Sequence, residues 1–456
     1  MTLVAGAART LLDPPLGAPM MGYGARVGGA RERHDPLFAR ALYCAGEGGE
    51  LLLVELDLCL VAPAQAAALR DEIQRRTGLP PARVLVGCTH THSGPDMGLG
   101  ALLGGADPPA HVAPLLAAAA AAAARARAGA APARLGTGRT AARIGRNRRV
   151  AGGPLDPTVL VVRVDRADGS PLAVLYVHGC HPTVLGHDNL AYSADWPGAA
   201  SRAVEAALPG ALAIFALGAH ADVDPRTRGV MDLAVEGQSA GAGFDEMEAL
   251  GRELGVAVAG AAAALATRPD APVGALSARV AIPVHGAGEP PEARAAARRD
   301  ALAALDLAPD ADVRTADLFR LGAERTRGLP AEERRERLAR VRRYLRDRTA
   351  PRFAGSERPE VEVQLLRLGD ALLLGLPLEP TVDVGLAWRG RMASPLACVV
   401  GIANGWLRYL PHPVNFEEPG AHRFYEVLMS TLVPDAAERL LECGERLAVE
   451  LGVGGP

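Results

Sequence analysis

The stretch VLVGCTHTHSGPD, Val84 to Asp96, carries an apolar run into Thr89-His90-Thr91-His92 and breaks at Gly94-Pro95. An apolar run of this length bounded by turn residues predicts a buried strand over Arg83 to Cys88. Residues two apart on an extended chain share a face, so His90 and His92 are expected to point the same way at the strand's exit. Two further segments repeat the plan. VLYVHGCHPT, Val174 to Thr183, delivers His178 and then His181-Pro182. IFALGAHADVDPR, Ile214 to Arg226, delivers His220, Asp222 and Asp224. Imidazole is a neutral nitrogen ligand near pH 7 and suits zinc. One histidine alone reads as a core or loop residue, but three strand exits bearing His and Asp point to an assembled metal site.

Working outward, strand patterns cover Ala39 to Cys44, Glu50 to Leu58, Thr158 to Val164, Leu172 to Val177, Ala211 to Leu217, Val361 to Leu368 and Ala371 to Leu376. Helical patterns cover Pro63 to Arg76, Ala113 to Ala128, Trp196 to Ala207, Phe244 to Thr267 and Pro434 to Val449. This interleaving predicts an α/β fold, with α+β as the variant, of mixed β-sheets flanked by helices. Between Pro290 and Arg348 the texture turns charged and helical, with Pro and Gly at the joints. The expectation is a helical insertion or lid over 290–350 inside a single domain spanning 1–456.

Composition removes whole classes of chemistry. The 456 residues are 49% hydrophobic and 22% charged, with a formal net charge of -3, which fits a folded chain without a general pull toward nucleic acid. There is no lysine; all 49 basic residues are arginine. A Walker A phosphate loop, a lysine Schiff base and a Ser-Lys pair are therefore excluded. The six cysteines are scattered without a C-x-x-C pair, so they read as buried thiols in a reducing cytoplasm. No signal peptide and no membrane span is read. Gly237-Gln238-Ser239-Ala240-Gly241 fits the G-x-S-x-G nucleophile elbow, but no oxyanion segment of the HGGG type lies upstream.

GCTHTHSGPD, YVHGCHPT, LGAHADVDPR, LGDALLLGLPLEP and GIANGWLRYLPHP, with the earlier MMGYG and GRNRR, resemble collinear motifs of the neutral/alkaline ceramidase catalytic domain from about Met20 to Glu426. The resemblance implies a Zn2+ held by His90, His181, Glu379 and Tyr409. It implies His92 beside the attacking water and the substrate carbonyl, Arg148 and Tyr425 as oxyanion donors, and Gly22 lining the same site. Asp222 is then expected to orient an imidazole or, equally, to cap the turn after its strand. The chain departs from the family where Asp224 replaces a serine and in a longer Tyr409 to Tyr425 spacing, and the expectation is of neither a signal peptide nor a C-terminal immunoglobulin-like domain. The expected activity is hydrolysis of an N-acyl amide bond by metal-activated water, on a ceramide-like or small soluble N-acyl compound. The alternatives are a serine hydrolase using Ser239, amide formation by the same site, or a non-catalytic ligand-binding relative. The sequence leaves the oligomeric state open.

Overall fold

A computed structural model describes residues 2–98, 107–228 and 241–453. Its centre is an eight-stranded sheet built from β1 (Val4–Leu12), β2 (Leu37–Gly46), β3 (Gly49–Leu56), β4 (Val84–Cys88), β5 (Ala131–Ala141), β6 (Thr158–Arg166), β7 (Pro171–His178) and β8 (Leu212–Leu217). The spatial order is β8-β7-β6-β5-β1-β2-β3-β4. The middle is antiparallel, whereas the two outer pairs, β3 with β4 and β7 with β8, are parallel. Each parallel pair needs a crossover, supplied by α1 (Pro63–Thr77) and α2 (Asp195–Ala207). A second sheet of β9 (Val273–Ala281), β10 (Glu360–Leu368), β11 (Ala371–Gly375) and β12 (Ala397–Val400) contains a third parallel pair, β11 with β12.

Period-two alternation decides the layering. Leu52 and Val54 face a core shared with the helices, while Leu51 and Leu53 face Leu366, Leu368 and Leu373 of the second sheet. On the far side of that sheet, Leu372 and Leu374 pack against Leu440, Leu441 and Leu447 of the C-terminal helix Ala436–Glu450. The result is helices, sheet, sheet, helices: the mixed α/β architecture expected from the sequence. The charged 290–350 region forms helices at Pro291–Ala303, Leu318–Arg325 and Ala331–Phe353, inserted between two strands that pair directly, β9 with β10. Leu302, Leu305, Leu318 and Val341 give these helices a small core of their own. Among the described residues, no helix is long and apolar enough to cross a membrane. The six cysteines are buried free thiols.

Strands β1 and β5 were not legible from pattern alone, because glycines interrupt both. A Cβ on Gly6 would lie 2.0 Å from the Ala126 carbonyl oxygen, and one on Gly136 would lie 2.4 Å from that of Ala266. Close approach of the neighbouring chain, rather than flexibility, sets these positions.

Gly87 answers to a different constraint: a Cβ there would meet Glu55 Oε1 at 2.3 Å. Both carboxyl oxygens of Glu55 are buried without a hydrogen-bond partner among the described residues. Its cross-strand neighbour Arg40 is bonded to Asp57 instead. Burial, reinforced by Asp57, pushes the Glu55 pKa well above the usual carboxylate range. The folded chain thus keeps a proton that the unfolded chain releases, so this contribution is complete at acidic pH and is lost as pH rises toward the folded-state pKa. Glu55→Gln mimics the protonated form. It is expected to raise the melting temperature at pH 8 by about 2–4 °C and to change it much less at pH 4; an equal shift at both pH values would count against a protonated Glu55.

Candidate metal centre

The carboxyl ends of all three parallel strand pairs converge, which is where open α/β sheets place their ligands. Beyond β4, the amides of Thr89 and His90 donate to the carbonyls of Leu56 and Leu58 at 2.8 and 2.9 Å, and His90 turns with a left-handed φ of 66°. His181 follows β7 and His220 follows β8. Glu379 follows β11, in a short strand paired in parallel with Tyr409.

Each of these histidines is aimed by the backbone. Nδ1 donates to Cys59 O at 2.7 Å in His90, to His220 O at 2.8 Å in His181, and to Gly218 O at 2.8 Å in His220. That assignment leaves each Nε2 as an acceptor facing inward. The three Nε2 atoms lie 3.6, 3.3 and 3.5 Å from Glu379 Oε2. The other Glu379 oxygen accepts from Trp406 Nε1 at 2.7 Å. All four donor atoms fall within 4.8 Å of one another, and all four residues are buried. His181 Nε2, His220 Nε2 and Glu379 Oε2 have no hydrogen-bond partner among the described residues. Burial pushes the His90 pKa down to about 3, so its ring is neutral at pH 7. Inward lone pairs without protons between them are a poor arrangement for a buried cluster and a good one for a divalent cation. The residues present therefore fit a metal.

His92 stands beside this group, its Nε2 3.2 Å from His90 Nε2 and its ring edge-on to Tyr23 at 4.8 Å. Gly22, at φ 108°, makes room for it: a Cβ there would lie 2.4 Å from His92 Cγ. Gly22, His90, His92, Glu379, Tyr409 and Tyr425 all line one cavity of about 380 Å³. Its remaining wall is largely apolar and includes Met20, Met21, Phe353, Trp406 and Met429.

Several expected roles change with the coordinates. The fourth member of the converging donor set is His220, whereas the Tyr409 hydroxyl accepts from Arg148 at 3.4 Å. His220 was visible in the sequence as the third strand exit, but the resemblance gave the fourth ligand position to Tyr409. Arg148 is buried behind Tyr409 and Tyr425, about equally distant from both rings at 5.7 Å, and donates to Glu426 at 2.7 Å and Asp224 at 3.3 Å. It does not line the cavity, so its position suits holding the tyrosines rather than touching an oxyanion. Asp222 accepts from Val382 N at 2.8 Å and from Arg149 at 2.9 Å. It therefore caps the start of the distant helix Val382–Arg391 rather than the turn after its own strand, and it meets no imidazole among the described residues. Its neighbour Asp224 does approach an imidazole, 3.8 Å from His181 Nδ1. Ser239 lies outside the described residues.

This layered α/β frame is shared with solved ceramidase structures. The neutral ceramidase of Pseudomonas aeruginosa matches with a TM-score of 0.70 at 20% identity, over 99% of this chain and 74% of that one. A ceramidase solved in complex with C2 matches with a TM-score of 0.70 at 19% identity, over 99% of this chain and 75% of that one. No family model matches the chain, and no curated protein matches it. The likeness establishes a neutral ceramidase-like fold.

The cluster predicts a metal stoichiometry. Full-length protein is expected to bind one divalent ion per chain, with His181→Ala and His220→Ala each weakening affinity by about 100-fold or more. Competition with a chromophoric chelator reads this directly, and undiminished affinity in His220→Ala would remove it from the donor set.

Proposed function

We propose that this chain is a zinc-dependent amidohydrolase that cleaves an N-acyl amide bond. The supporting observation is the set of three inward imidazole nitrogens and one carboxylate oxygen, those of His181, His220 and Glu379 without a hydrogen-bond partner among the described residues, at the base of an apolar-walled cavity. Three nitrogens and one oxygen match zinc's preference among common divalent ions. When bound, such an ion supplies water of lowered pKa and polarises a carbonyl.

The chain's own residues do the rest. Burial keeps His92 neutral, so it can take a proton from the attacking water and return it to the departing amine nitrogen. The phenol hydroxyls of Tyr409 and Tyr425 stand in the wall as donors for the charge developing on the carbonyl oxygen. Their rings meet edge to face at 5.4 Å, which limits their rotation. Arg148, fixed by Glu426 and Asp224, holds the Tyr409 hydroxyl in place. Phe353, Trp406 and the cavity methionines exclude bulk water and strengthen these interactions.

His92→Ala is expected to lower kcat by about 10²–10⁴ with metal content unchanged. Tyr425→Phe is expected to cost about 10²–10³ if its hydroxyl stabilises the oxyanion. Release of free amine from a panel of N-acyl amines, read beside elemental analysis, tests both. Metal-loaded protein that cleaves no member of the panel, or turnover that survives complete chelation, would sink the proposal.

A further inference from the structure

One charge in the cavity has no partner. Several buried arginines are committed to carboxylates: Arg40 to Asp57, Arg148 to Glu426 and Asp224, and Arg149 to Asp222 and Glu418. Arg408 lines the cavity, but its guanidinium makes no hydrogen bond or ion pair with any described residue, and its Nε is buried without a partner among them. Its guanidinium lies over the Phe353 ring, 4.2 Å from the centroid. Stacking of that kind occupies the face of the guanidinium and leaves its in-plane N–H edge for a planar anion.

The backbone presents this group on purpose-built geometry. Arg408 has a φ of 70°, a left-handed conformation that a non-glycine residue keeps only where its surroundings enforce it. Its carbonyl accepts the amide of Glu379 at 2.8 Å, which ties the guanidinium's anchor point to a member of the metal-donor group. Among the described residues, the one acidic side chain lining the cavity apart from Glu379 is Asp96, whose Oδ1 is already bonded to Gly98 N at 2.9 Å.

We propose that the substrate is an anionic N-acyl compound of the N-acyl amino acid class, whose carboxylate pairs with Arg408 while its acyl chain lies along the apolar wall. The inference rests on the amidohydrolase reading of the same site. Water adds to the acyl carbon, the C–N bond breaks, and the products are a carboxylic acid and a free amino acid. A bidentate guanidinium–carboxylate pair is charge-assisted and directional, and it discriminates strongly against a neutral group of similar size.

The test compares N-hexanoylglycine with N-hexanoylethanolamine, which differ in carboxylate against hydroxymethyl. Wild-type protein should favour the acid by about 100-fold in kcat/KM. In Arg408→Gln the ratio should collapse toward one, and Arg408→Lys, which keeps the charge without the fork, should retain part of it. A wild-type ratio near one, a ratio unchanged in Arg408→Gln, or a ratio lost equally in both variants overturns the proposal. The ratio is internal to each variant, so partial misfolding does not imitate the result. If neither compound is cleaved, the amidohydrolase reading fails separately, and titration calorimetry of both against the full chain still reads the contact. Acid binding that weakens in Arg408→Gln supports the pairing; equal binding of acid and alcohol, or none of either, overturns it.

Discussion

Four acceptor atoms face one another in the interior, and almost everything else about the site follows from what that demands. Glu379 Oε2 is surrounded at 3.3 to 3.6 Å by three imidazole Nε2 atoms whose partner Nδ1 atoms are turned to backbone carbonyls. Removing such groups from water is costly unless a cation compensates them. The fold meets the demand through rigidity: each imidazole is steered by a backbone carbonyl, and the carboxylate by an indole N–H. None of these steering groups depends on a flexible side chain except Trp406.

The convergence is a product of topology. Parallel strands put their carboxyl ends on the same edge of a sheet, and three parallel pairs drawn from two stacked sheets bring those edges together. Chain segments far apart in sequence, around His90, His181, His220 and Glu379, thereby reach one point. A small change in how the sheets stack would displace Glu379 from the histidines, because the carboxylate follows β11 of one sheet and the imidazoles follow strands of the other.

Much of this was legible in the sequence, and the gaps have physical causes. Strands with clean apolar texture, such as β3 and β7, and their crossover helices could be read directly. Strands β1 and β5 could not, since Gly6 and Gly136 answer to a neighbour's backbone rather than to strand propensity. The Thr-His-Thr-His and His-Pro segments pointed to the centre, and the structure brings His90, His181 and Glu379 together there. His220 lay in a segment already marked as a strand exit, but nothing along one chain says which exits meet. Arg148 and Asp222 show the opposite limit. Buried charges find whatever partners the packing offers, here Glu426, Asp224 and Arg149, and such pairings leave no local trace.

The cavity is assembled from two sources that answer to different pressures. Its base comes from strand ends, while Phe353 arrives from the last turn of helices inserted between β9 and β10. Those helices carry their own core, so their sequence can drift without disturbing the donors beneath. Evolution can therefore retune which molecules are admitted by editing an appendage, leaving the reactive floor untouched, and diversity among chains sharing this frame should gather in that inserted segment.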